Sequence, residues 1–210
     1  LLLLVDVSGS QDFGSRYLLK RDYAAELAAV LAFSAVANHD RVGAVLFSDR
    51  IEGYVPPGGG RQHALRIVRD LLAKEPVGKG TDLAGALRFT QRVLRRRGIV
   101  AVISDFQASG YERALGALRR RHDVVALHLQ DPRETDVVPA GLVAFTDPET
   151  GDRLVADTGR PEVRRALTDP GFEEARQVFK KTRVDALTLS TAESYEGPLR
   201  GFFKARERRR

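Results

Sequence analysis

Leu1-Leu2-Leu3-Leu4-Val5-Asp6-Val7-Ser8-Gly9-Ser10 opens the chain: five apolar residues, then oxygen-bearing side chains at every second position. A continuous apolar run that ends at a polar turn is the pattern of a parallel strand buried on both faces. Open parallel sheets bind ligands at the carboxyl ends of their strands, near the point where strand order reverses. Asp6, Ser8 and Ser10 leave the strand at that end. The stretch therefore points to a fold class and to a place for a site.

The pattern continues outward from it. Residues 19–37 have helical spacing, with Tyr23, Leu27, Val30, Leu31 and Ser34 on one face. Residues 41–47 read as a second strand and 48–50 as a turn. A returning strand over 51–55 is closed by Pro56, Pro57 and three glycines. A helix is predicted over 61–73, with Leu65, Val68, Leu71 and Leu72 inward. Another begins at Thr81, buries Leu83, Leu87, Thr90 and Leu94, and stops at Gly98. Residues 99–103 form a strand ending at Ser104 and Asp105. A helix over 111–121 and a strand over 124–129 follow. Residues 142–146 and 153–157 flank a turn as a hairpin. Two helical pieces interrupted near Pro170 come next, then a strand over 184–189 and a helix over 195–206.

Alternating strands and helices predict an α/β fold with a mainly parallel central sheet. The expected organisation is one domain over residues 1–210, with a β-hairpin insertion at about 141–157 and a basic tail at 205–210. The chain does not begin with Met and starts inside a strand, so a preceding segment is expected.

Composition narrows the function classes. With no cysteine, disulfides, thiol catalysis and cysteine-ligated metal centres are excluded, and a reducing, cytoplasmic setting is expected. No run approaches the roughly 20 apolar residues that span a bilayer. Net charge is +6, but the last six residues hold four Arg and one Glu, so half of the excess sits in the tail. The pI near 9.9 therefore says little about nucleic acid.

Three segments can meet at one sheet edge: Asp6, Ser8 and Ser10 after the first strand, Asp105 after a later one, and Thr81 at a helix start. Singly, each has an ordinary explanation. Asp and Ser favour turns, and Thr81 can cap its helix with Asp82 set against the dipole. Together they offer two carboxylates and three hydroxyls, all hard oxygen donors, which suit Mg²⁺ or Mn²⁺ over zinc or copper. Neutral hydroxyls leave most of the ion's charge unbalanced, so an open position would attract a carboxylate from a protein partner.

Asp6-x-Ser8-x-Ser10 with a separate Thr81 and Asp105 resembles the metal-ion-dependent adhesion site of von Willebrand factor A domains. The resemblance implies a Rossmann-like fold, mainly parallel with one antiparallel edge strand and helices on both faces. It implies Ser8 and Ser10 as direct ligands, Asp6 and Asp105 as anchors for water, and Thr81 as a ligand that changes with conformational state. More narrowly, LLLLVDVSGS with FGSR, DRVGAVLFSDRIEGYVPP, GKGTDL, VISDF, RHDVVALHLQDPRE and DPETG resemble the bacterial domain-of-unknown-function-58 family. Members usually carry a further segment before the first strand. They are typically encoded beside MoxR-type AAA+ ATPases, which implies such an ATPase as partner, a non-enzymatic binding role, and work in assembling or maturing other proteins.

Two other classes compete. An apolar strand running into Asp-x-Ser-Gly-Ser resembles the opening of haloacid-dehalogenase phosphatases, with Asp6 as nucleophile. Ser8 then stands where a general acid is needed, and a serine cannot fill that role at neutral pH. A Gly-x-Ser-x-Gly hydrolase elbow is ruled out at Ser8 by Asp6, and His39, His63, His122 and His128 have no motif around them. The arginine runs at 95–97, 119–121 and 208–210 would serve a nucleic-acid binder. They lack interleaved aromatics for base stacking, and two sit at helix ends where cations complement the dipole.

Overall fold

The first strand, β1 (Leu2–Asp6), is buried along its whole length. It pairs in parallel with β2 (Val42–Phe47) on one side and with β4 (Ile99–Ser104) on the other. The antiparallel β3 (Ile51–Gly58) lies beyond β2; β5 (Asp123–Gln130) and then β8 (Asp185–Ser190) lie in parallel beyond β4. The six-stranded order β3-β2-β1-β4-β5-β8 reverses direction at β1. The computed structural model describes residues 1–12, 19–78, 80–135, 137–146, 151–167 and 171–209. Residues 13–16, Lys79, the hairpin turn at 147–150, Pro170 and Arg210 all entered the sequence reading and lie outside the described residues.

Alternate residues of β1 feed two cores. Leu3 and Val5 pack with α1 (Lys20–Ala37), α2 (Arg61–Ala73) and α8 (Glu196–Glu207) on one face. Leu2 and Leu4 pack with α3 (Leu83–Val93), α4 (Glu112–Arg121) and α7 (Gly171–Thr182) on the other. Burial on both faces is why the strand reads as an unbroken apolar run. Short α5 (Pro132–Thr135) follows β5, and α6 (Pro161–Leu167) precedes α7. β6 (Leu142–Thr146) and β7 (Arg153–Asp157) pair only with each other, as an antiparallel ribbon.

Several local expectations need correction. α1 does not bury Val30, which is 41% exposed, or Ser34; it buries Tyr23, Leu27 and Leu31 together with Ala24, Ala25, Ala28, Ala32 and Ala35. The small alanines let the helix lie close, so the buried stripe is rotated toward them. α2 likewise buries Ala64, Ile67 and Leu71 and leaves Leu65 and Leu72 outside. α3 ends at Val93, before Gly98, and is capped by Asp82, whose carboxylate accepts from the Gly85 N–H at 2.7 Å; Thr81 stands one residue outside the helix. β3 runs on through Pro56 and Pro57, tolerable because it is an edge strand. The register of β2 and β3 slips there, with Val42 opposite Gly58 and Ala44 opposite Val55.

Candidate functional site

The site forms where β1 and β4 end side by side. The chain leaves β1 with the Val7 N–H on the Phe47 carbonyl at 2.8 Å, then turns through a 3-10 segment, Gly9–Asp12. This tight turn returns Ser8 toward Asp6. Asp6 Oδ1 accepts from the Ser8 N–H at 3.0 Å and from the Ser8 hydroxyl at 2.6 Å. Ser10 Oγ lies 3.1 Å from Ser8 Oγ. The other Asp6 oxygen accepts from Ser104 Oγ at 2.7 Å, and Ser104 Oγ in turn accepts the Phe106 N–H at 2.9 Å. All of Asp6, Ser8, Ser10, Ser104 and Asp105 are buried. Gln11, next in the chain, is wholly buried, and its amide oxygen and nitrogen have no hydrogen-bond partner among the described residues.

Burial pushes the Asp6 carboxyl up to about 7. The charge of Asp105 pushes the same way, and the Ser8 and Ser104 hydrogen bonds pull against both. The two aspartates predicted from distant segments thus lie close enough to repel.

Asp105 is already held. Its Oδ1 accepts the Gln107 N–H at 3.2 Å, and its Oδ2 lies 2.7 Å from the Lys20 ammonium. Lys20, the first residue of α1, is 0% exposed and also meets Glu134 Oε1 of α5 at 2.6 Å. Burial works against its charge, and the Asp105 and Glu134 carboxylates outweigh it, so its pKa is raised. Phe106 holds a left-handed backbone (φ 56°) next to Asp105, a conformation costly for an aromatic residue. Edge-to-face packing on Phe179, with ring centroids 4.8 Å apart, fixes it there.

Thr81, partly buried, arrives on the 74–82 loop. The Asp82 N–H donates to the Ser48 carbonyl at 2.8 Å, one residue beyond Phe47, which pairs with Asp6. That bond brings Thr81 to the same sheet edge. Glu52 of β3 secures the loop, taking Ser48 Oγ at 2.7 Å, the Val77 N–H at 3.0 Å and the Gly78 N–H at 2.8 Å on one oxygen. Burial alone would raise the Glu52 carboxyl; these bonds outweigh it and hold it below its ordinary value. A Cβ on Gly78 would lie 2.2 Å from both Ser48 Oγ and Asp49 Oδ1. Gly78→Ala is expected to cost about 1–3 kcal/mol by overpacking, read by urea unfolding; a cost below 0.5 kcal/mol would mean the loop simply moves aside.

Lys20, Glu134, Glu52 and Ser104 were not anticipated. Lys20 offered one signal, since a cation at a helix start opposes the dipole and requires a partner. Among the described residues no group of three or more His, Cys, Asp or Glu side chains gathers as a metal centre, so any such site rests on the hydroxyls. The histidines are structural or peripheral. His63 Nε2 bonds the Val42 carbonyl at 2.9 Å, His128 packs among Phe106, Phe172 and Phe179, His122 is buried with no hydrogen-bond partner for its side chain among the described residues, and His39 is exposed. Arg95–97 and Arg120 and Arg121 are exposed where β4 and β5 begin, at the sheet edge opposite the site. In the tail, Arg206 is committed to ion pairs with Asp123 and Asp185. No helix among the described residues is long and apolar enough to cross a membrane.

The mainly parallel sheet with one antiparallel edge, the helices on both faces and Asp-x-Ser-x-Ser at the switch point are the arrangement that the resemblance to von Willebrand factor A domains implies. The family described as "Protein of unknown function DUF58" matches residues 1–177, and the chain belongs to it. An uncharacterized protein of Mycobacterium tuberculosis is 36% identical over 152 residues, 71% of this chain; the chain spans about half (48%) of that relative's length. Two solved structures share the fold. One is the conserved hypothetical protein BatB of Bacteroides thetaiotaomicron, with 13% identity, a TM-score of 0.65, and coverage of 98% of this chain and 96% of that one. The other is an aerotolerance-related membrane protein of Bacteroides fragilis, with 16% identity, a TM-score of 0.66, and coverage of 97% and 98%.

Proposed function

We propose that this domain is a divalent-cation-dependent protein-binding module, in which Asp6, Ser8, Ser10, Thr81 and Asp105 hold Mg²⁺ or Mn²⁺ and a partner supplies an acidic side chain. The observation that carries the reading is the paired hydroxyls. The Ser8 hydroxyl donates its hydrogen bond to Asp6 Oδ1, which leaves its oxygen lone pairs for another partner. Ser10 lies 3.1 Å away. Mg²⁺ takes octahedral oxygen ligands at about 2.0–2.1 Å, which sets neighbouring ligands about 3 Å apart. The donor set is all hard oxygen, which suits those ions. A bound ion would supply an electrophilic position for a carboxylate. The chain's own part is to hold the hydroxyls, orient their protons and keep the carboxylates behind them.

A phosphatase finds less support. Both oxygens of Asp6 are engaged by Ser8 and Ser104, and the carboxyl is 1% exposed, so neither is presented to a phosphate. The MoxR-type AAA+ ATPase as partner, and a role in maturing other proteins, follow from the resemblance and form the finer part of this proposal.

Thermal unfolding with Mg²⁺ or Mn²⁺ titrated in tests the reading. For a dissociation constant of ~1 mM, ~10 mM metal stabilises by about 1.4 kcal/mol, or roughly 3–5 °C here. The expected result is a shift in the wild type that is lost in Ser8→Ala. A shift that persists in Ser8→Ala would place the ion elsewhere. Capture of a MoxR-type AAA+ ATPase by the domain is expected with the metal present and should be lost in EDTA.

A further inference from the structure

We propose that Lys20 is a resident counter-cation that competes with a divalent ion for Asp105, so that the chain itself sets how weakly the site holds metal. The inference rests on the metal reading above. It starts from a buried ammonium where a metal site would be expected to exclude one. Lys20 is 0% exposed and its Nζ lies 2.7 Å from Asp105 Oδ2, with Asp105 itself 2% exposed. The second Asp105 oxygen is taken by the Gln107 N–H. Each Asp105 oxygen thus already carries one donor, and a metal-bound water would have to share its oxygen with the ammonium or with the Gln107 N–H. A dication held with Asp105 also meets the Lys20 ammonium as a like charge, among buried groups where such repulsion is poorly screened.

Glu134 makes the competition adjustable. Its Oε1 lies 2.6 Å from Lys20 Nζ, its Oε2 accepts the Asp131 N–H at 2.9 Å, and α5 carries it on a different segment from Asp105. Asp131 is itself held, with Oδ1 on the Arg133 N–H at 2.9 Å and Oδ2 on Thr191 Oγ1 at 2.7 Å. The lysine is thus shared between one carboxylate that belongs to the site and one that belongs to a short braced helix. The ammonium holds both carboxylates at once; a shift of it toward Glu134 would free Asp105 for the ion, and its hold on Asp105 disfavours the ion. A partner that brings its own carboxylate to the ion would tip this balance, tying metal uptake to partner docking.

The test is Mn²⁺ binding to the whole chain, read from the paramagnetic resonance signal of free Mn²⁺, for wild type, Lys20→Met, Glu134→Gln and the Lys20→Met/Glu134→Gln pair. Lys20→Met leaves buried Asp105 and part-buried Glu134 without their cation, and circular dichroism reports whether that variant folds. The double variant removes one charge of each sign, so its net charge is that of the wild type. Any gain in it reports the release of Asp105 rather than bulk electrostatics. The expected result is at least tenfold tighter Mn²⁺ binding in the double variant and weaker binding in Glu134→Gln. A wild type that binds Mn²⁺ with the double variant no tighter overturns the inference and leaves the metal reading standing. Binding in no variant at all overturns both. Binding in the double variant but not in the wild type supports the competition in its strongest form.

Discussion

Replacing Asp105 by alanine is expected to destabilise the metal-free domain by about 3 kcal/mol, roughly 6–12 °C in Tm for a chain of this size. The reason is the ammonium left behind. Lys20 is fully buried, and Asp105 is one of the two carboxylates that offset the loss of its hydration. Removing one partner of a buried pair typically costs about 3–5 kcal/mol, because the other charge stays buried and under-compensated. Glu134 remains, which sets the expectation at the lower end. The loss of the Gln107 N–H acceptor adds to it. Urea unfolding in EDTA measures the cost. A double-mutant cycle with Lys20→Met should show strong coupling, since removing both charges together avoids the stranded ion. A cost below about 1 kcal/mol would mean that Lys20 reaches water once Asp105 is gone.

Asp6→Asn is expected to behave oppositely. The folded Asp6 carboxyl sits at about 7, above its unfolded value of 3.8. Between those values the native chain binds more protons than the unfolded one, so stability falls as pH rises through the window. The slope approaches about 1.4 kcal/mol per pH unit from this group where the two states differ by a full proton. Asparagine keeps an acceptor for the Ser8 N–H and hydroxyl and removes the repulsion with Asp105. Ser104 can turn its hydroxyl to accept from the new amide. In EDTA, Asp6→Asn should therefore be less stable than or equal to wild type near pH 5 and more stable by a few kcal/mol near pH 8. Parallel stability curves for the two proteins across that range would show that Asp6 is not forced to ionise against its surroundings. The two aspartates of one site would thus be told apart by stability alone: one carboxylate is needed by a neighbour, the other is a burden until a cation arrives.

The layout of the sheet was legible because its strands are apolar on both faces and end at polar turns. Leu2–Asp6, Val42–Phe47 and Ile99–Ser104 lie within a residue or two of where periodicity put them. Asp6, Ser8 and Ser10 were readable as a cluster because a tight turn after a buried strand returns its side chains to the strand end. Helix faces were read less well. Counting large apolar residues favoured Val30 and Leu65, whereas close approach to the sheet favours alanine, so α1 and α2 turned their small residues inward. Thr81 gave way to Asp82 as the cap because the carboxylate is the stronger acceptor for the Gly85 N–H. Lys20 and Glu134 were out of reach because an ion pair 114 residues apart leaves no local pattern. Only the lysine's poor fit with the helix dipole hinted that something held it.

The prolines of β3 limit how the molecule can grow. Neither Pro56 nor Pro57 has an N–H to offer, and the backbone there folds so tightly over β2 that a Cβ on Gly43 would lie 2.7 Å from the Val55 carbonyl oxygen and 2.8 Å from the Pro57 nitrogen. A foreign strand laid along that border would find a continuous ladder only from Ile51 to Val55 before the donors run out. Lateral zipping by a second molecule on this flank is thereby confined to that short stretch, which works against edge-to-edge aggregation.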